Sequence, residues 1–177
     1  MPDLQISRPA ASEHAAYYSR YIDLVPEGDI LRTLTTQVAG TLQALRGLSD
    51  GDSLKRYAPG KWSIREMLGH MNDTERIFAY RALRIARGDA TPLAGFEQDD
   101  YIAPGKFDAR SWSSLIEEFE AVRTSNLAMF RGFDAEAWQR QGTASNNPVT
   151  VRAVAYIIAG HERHHMRVLR EKYGVAA

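Results

Sequence analysis

Four long stretches of the chain carry apolar residues at steps of three and four, the spacing of a helix with one buried face. The first follows Asp29 and runs through Leu31, Leu34, Val38, Leu42 and Leu45 to Gly47. The second opens on Ser63-Ile64-Arg65-Glu66, a capping box in which serine and a glutamate three residues on satisfy the free amides of a helix start. Its stripe of Ile64, Leu68, Met71, Glu75, Phe78 and Ala82 predicts a helix to about Arg87, stopped by Gly88. The third starts at Asp108 or Ser111 and carries Leu115, Phe119, Val122, Leu127 and Phe130 as far as Gly132, with one further turn over Asp134 to Trp138. The fourth starts at Thr150 and shows Val154, Ile157, Ile158, His161, His165, Val168 and Leu169 on one broad face, with Gly174 placed to end it.

The connections differ in character. Met1 to Pro9 reads as a loose arm, followed by a short helix capped by Ser12, with Tyr17, Tyr18, Tyr21 and Ile22 on one side and Pro26 and Gly28 breaking it. Gly88 to Phe107 is a long loop centred on Phe96-Glu97-Gln98-Asp99-Asp100-Tyr101. Loops of this length are often functional lids; the plainer reading is a solvated acidic crossover with two aromatic anchors. Gln141 to Pro148 is a polar connection, and no alternating segment or hairpin signal predicts a strand. The expected fold is all-α: a four-helix bundle over residues 1–177 as a single domain, with residues 1–27 an arm and short helix packed on it.

Charge and composition narrow the partners. Lys+Arg and Asp+Glu balance at 22 each, so the chain lacks the positive field that drives nucleic-acid binding. There is no cysteine, which excludes disulfides, thiolate ligands and a cysteine nucleophile. No window approaches the roughly 18 apolar residues of a membrane span, and Met1 to Ala16 lacks the apolar run of a signal peptide. The expectation is a cytoplasmic protein with neither nucleic acid nor membrane as partner.

The candidate chemistry lies in the histidines. Three of the five fall in His161-Glu162-Arg163-His164-His165, within the fourth helix. His161 and His165 stand about 40° apart and one turn above each other, so two imidazoles can reach one small ion. His70, on the second helix, could supply a third ligand, leaving an open position for water or substrate. Glu66 and Asp73 are candidates to orient its ring. A lone helical histidine is more often an ordinary hydrogen-bonded side chain, so His70 has that bland alternative. His164 points to the flank, and His14 is expected at the surface.

The same five residues match H-E-x-x-H, the zinc-protease signature with glutamate as general base. The context opposes that reading. No histidine follows His165, and Val168 stands where the extended form needs glycine. No phosphate loop, dinucleotide fingerprint or nucleophile elbow is present. Trp62, Trp112 and Trp138 each sit near a helix start and read as packing anchors.

The chain resembles the DinB-like superfamily, in its branch of YfiT-type metal-dependent enzymes. The segments that carry the likeness are Tyr57 to His70, Asp73 to Phe78, Gly95 to Tyr101 and Ala159 to His165, in order and over nearly the whole chain. The resemblance implies a four-helix bundle, often dimeric, with one divalent metal held by His70, His161 and His165. Three imidazoles do not by themselves choose a metal: zinc is the default, with nickel, iron, manganese and copper open. Relatives of known activity use low-molecular-weight thiols. The reaction expected first is therefore thiol S-transfer on a small-molecule substrate, by a homodimer, with no catalytic acid or base assigned. Metal-dependent hydrolysis is the alternative, and a non-enzymatic metal-binding bundle is the third.

Overall fold

The computed structural model describes residues 6–176. Each long helix starts where a side chain takes up the free amides of its first turn. Asp29 caps α2 (Ile30–Arg46), accepting from the amides of Leu31 and Arg32. Ser63 and Glu66 form both halves of the capping box on α3 (Ile64–Ala86). Ser111, rather than Asp108, caps α5 (Trp112–Arg131), and Thr150 caps α7 (Val151–Tyr173). Gly174, at φ 72°, closes α7 in the left-handed conformation that glycine adopts without strain. These four helices form the bundle, with α7 packed on α3, α2 and the short α1 (Ser19–Ile22).

Two expectations about the connections are corrected. Part of the long loop after Gly88 is ordered as α4 (Asp99–Gly105), and Leu93 bridges to Ala144. The polar connection after α6 (Ala135–Gln139) is a β-hairpin, β1 (Gln141–Ala144) against β2 (Asn147–Thr150), antiparallel with Gln141 opposite Thr150. Its turn residues Ser145 and Asn146 both take positive φ, 51° and 60°, as a tight hairpin turn requires.

The arm is also less loose than expected. Residues 1–5 of it lie outside the described residues. From Ile6, which is buried, the chain is tied down by Arg8, which donates to the carbonyls of Ile22 and Val25 at 2.7 and 2.6 Å. Ser12 falls inside a 3-10 turn (Ala11–Glu13) and caps no helix. His14 is buried, correcting its expected surface position.

The apolar interior is split in two. One cluster gathers Ile30, Leu34, Phe78, Phe130 and Ile157 with Tyr21 and Ile22; the other gathers Leu45, Leu68, Leu115, Phe119 and Leu169. Between them, at the waist of the bundle, every long helix contributes buried polar side chains: Thr41, His70, Glu75, Arg123, Asn126, His161, Glu162 and His165. Among the described residues no helix is long and apolar enough to cross a membrane.

Candidate metal centre

The waist brings together the three histidines singled out by their spacing. His70 on α3 and His161 and His165 on α7 are all buried, and one nitrogen of each lies within 4.8 Å of the other two. The Nε2 of His161 is the hub, 3.1 Å from Nε2 of His70 and 3.0 Å from Nε2 of His165. An imidazole nitrogen carries either one proton or one in-plane lone pair. One such nitrogen cannot make two good hydrogen bonds to two other ring nitrogens at once.

A shared cation resolves that conflict, because all three lone pairs can then point inward. Metal–nitrogen lengths of about 2.0–2.1 Å at tetrahedral angles set neighbouring ligand nitrogens about 3.3 Å apart. The observed spacings are close to that. Burial also keeps the rings in the neutral form that metals need. It pulls His70 down to about 4, helped by the nearby His164, and pulls His161 and His165 well below their ordinary value. The donor set therefore fits a divalent ion.

The surrounding contacts differ from those expected. Thr74, one turn after His70, places its hydroxyl 3.3 Å from Nδ1 of His70. Glu66 does not orient that ring. Its carboxylate accepts from the Ser63 amide at 2.7 Å and from Arg56 at 3.0 Å. Asp73 is half-buried, and no hydrogen bond joins it to His70 among the described residues. Among the described residues, Nδ1 of His165 is buried without a partner. Trp62 is half-buried, and its ring packs on the His70 ring at 4.9 Å, so it walls the site and belongs to neither apolar cluster.

Glu162, the glutamate of the H-E-x-x-H match, is fully engaged elsewhere. It accepts from Thr41 at 2.6 Å, from Gln37, and from the buried guanidinium of Arg123 at 2.8 Å. This removes it as a protease-type general base. Arg123 also grips Glu75 with two bonds of 2.7 and 2.8 Å. Sequence reasoning missed Arg123, although a glutamate on the apolar stripe of α3 was a visible sign that a buried cation faced it.

A cavity of about 330 Å³ opens beside His70 and His161. Its walls are the tyrosines 17, 18 and 21 of the N-terminal segment and residues 96–99 ahead of and into α4. The Tyr21 ring stands edge-on to both His161 and His164, at 5.3 and 5.4 Å. Burial pushes the Tyr21 hydroxyl up, so at neutral pH it stays protonated and can donate a hydrogen bond. His164 is half-buried on the flank, as its angle on the helix predicts.

A helical bundle with three converging imidazoles at its waist is an arrangement that can hold an ion between facing helices. The chain belongs to the DinB superfamily, whose family model matches residues 33–169. A relative from Oceanobacillus iheyensis, named "putative metal-dependent hydrolase", is 23% identical over 138 residues, 77% of each chain. Among solved structures, YfiT from Bacillus subtilis, described as a probable metal-dependent hydrolase with an unusual four-helix bundle topology, superposes with a TM-score of 0.68. It is 14% identical, and the match covers 95% of this chain and 94% of that one. A mycothiol-dependent maleylpyruvate isomerase has the same TM-score of 0.68 at 13% identity, over 84% of this chain and 60% of that one. At these identities the two structures establish a shared fold.

Proposed function

We propose that this chain is a divalent-metal-dependent enzyme acting on a small molecule, with His70, His161 and His165 as the protein ligands. The observation that carries the proposal is the double contact at Nε2 of His161, which a shared ion explains and hydrogen bonding alone does not. Three neutral nitrogens suit zinc first, and nickel, iron or manganese in other supply conditions.

Thiol S-transfer is the reaction we favour. It is supported by the thiol dependence in the name of the isomerase of the same fold, and by a chain with no cysteine of its own to compete for the ion. Hydrolysis is the second reading, favoured by the names of the Oceanobacillus relative and of YfiT. A divalent ion held by His70, His161 and His165 would supply the acidity that makes a thiol or a water nucleophilic at neutral pH. The chain's own residues do the rest. His70 is steadied by Thr74, and the rings of Trp62 and Tyr21 pack against those of His70 and His161. Glu97 and Asp99, on the cavity wall, are the carboxylates placed to take up a proton. We further read residues 1–177 as one domain, acting as a cytoplasmic homodimer.

The test is turnover by zinc-loaded protein, with small thiols plus a general electrophile in one set and with esters and amides in the other. Metal-dependent turnover in the first set and not the second supports S-transfer; the reverse selects hydrolysis. His70→Ala is expected to abolish either activity along with stoichiometric zinc. Zinc content unchanged in that variant would reject the site.

A further inference from the structure

We infer that the buried network of Glu75, Arg123 and Glu162 is the counter-charge of the metal centre, and so sets its affinity for the ion. This rests on the metal reading above. Three neutral imidazoles bring no charge, so a divalent ion among them would leave two positive charges in a buried place. Such a charge is costly unless opposite charge lies nearby.

The waist of the bundle supplies it. Arg123 is bonded to both Glu75 and Glu162, and all three side chains are at most 5% exposed. Two carboxylates against one guanidinium leave one net negative charge. The remaining direct partners are neutral: Gln37 and Thr41 on Glu162, and Asn126 on Glu75. Arg163 donates to Gln37 and, with the solvent-exposed Arg167 and Arg170, lines an open cavity on the other side of Glu162.

The excess charge faces the histidines. Glu75, Glu162, Thr74 and His161 line one cavity of about 10 Å³, which has room for about one water and none for bulk solvent. The apolar clusters close the two ends of the layer, while cavities of about 330 and 380 Å³ open beside His161 and beside Glu162. Across the small cavity, which holds no bulk solvent, screening between the carboxylates and the His161 ring is weak. For stability alone, one carboxylate would balance Arg123. The second is an unbalanced buried charge that a metal-free bundle has no use for.

Glu75→Gln and Glu162→Gln test the idea, each removing the excess charge while keeping side-chain shape. Zinc affinity is measured by competition with a chromophoric chelator, with circular dichroism recording the fold. Each single variant is expected to bind zinc 10- to 100-fold more weakly than the unaltered chain, the usual cost of losing a group that supports the ligands. Glu75→Gln combined with Arg123→Gln restores one net negative charge and is expected to recover much of the loss; a purely structural role predicts that the double variant binds more weakly still. Should one single variant fail to fold, the other decides. Affinity within twofold of the unaltered chain in a folded single variant overturns the inference and leaves the metal site standing. Absence of zinc binding by the unaltered chain overturns both.

Discussion

His161 is the most constrained side chain of the site, with one nitrogen serving two neighbours. Its neutrality and that of His70 and His165 have a consequence for the metal-free protein. Burial lowers all three pKa values, so these rings bind fewer protons folded than unfolded. An unfolded histidine titrates near 6.5. Between that value and about 4 the unfolded chain takes up protons that folded His70 does not. Stability is thus highest above pH 6.5 and falls as pH drops toward 4, by about 3 kcal/mol from His70 alone. Urea midpoints of chelator-treated protein at pH 7.5 and pH 5 check this, and a flat profile would contradict it. The pairing of His161 with His165 was legible in the sequence because helical geometry fixes it from spacing alone. His70 was legible only as a candidate, since nothing local says which residues a distant helix will face; the family likeness is what singled it out. Thr74 took the role expected of Glu66 because a capping box and an ion pair with Arg56 already occupied that carboxylate. Arg123 and Asn126 escaped notice because a polarity pattern assigns polar residues to solvent, and here they face Glu75.

At the scale of elements, the capped helices were readable because each start carries its own chemistry within four residues. The hairpin was not: its strands have only four residues each, and its turn uses Ser145-Asn146 where Asn-Gly is the strong signal. Contact between α1 and α7 was equally hidden, since it depends on the absence of a side chain. A Cβ on Gly160 would lie 2.0 Å from the carbonyl oxygen of Tyr21, a backbone atom that cannot rotate away. Gly160→Ala therefore must push the N-terminal segment off α7, next to His161. The expected cost is about 1–3 kcal/mol of stability, as for other overpacked sites. Cleavage by a protease of broad specificity should also increase around residues 17–28. A variant with the melting temperature and cleavage pattern of the unaltered chain would show that α1 sits less tightly than the structure has it.

At the scale of the molecule, the split interior is the feature that joins fold to function. Two apolar clusters hold the ends of the bundle, and the polar layer between them uses side chains that stabilise little by burial and much by partnership. The ion proposed for that layer would join α3 to α7, two helices whose facing residues are some ninety positions apart in the chain. An ion that binds only the folded state adds stability that grows with the logarithm of its concentration, about 2.7 kcal/mol at a hundred times its dissociation constant. For a chain of this size that corresponds to a rise of about 5–11 °C in melting temperature. Zinc added to chelator-treated protein should produce such a rise, increasing steadily with concentration. His70→Ala should melt at one temperature with or without zinc, because the ligand that ties the second helix to the fourth is gone. An equal zinc response in the variant would mean that the ion binds the α7 pair alone. The waist would then join the helices through Arg123 and its carboxylates, with no metal bridging α3 to α7.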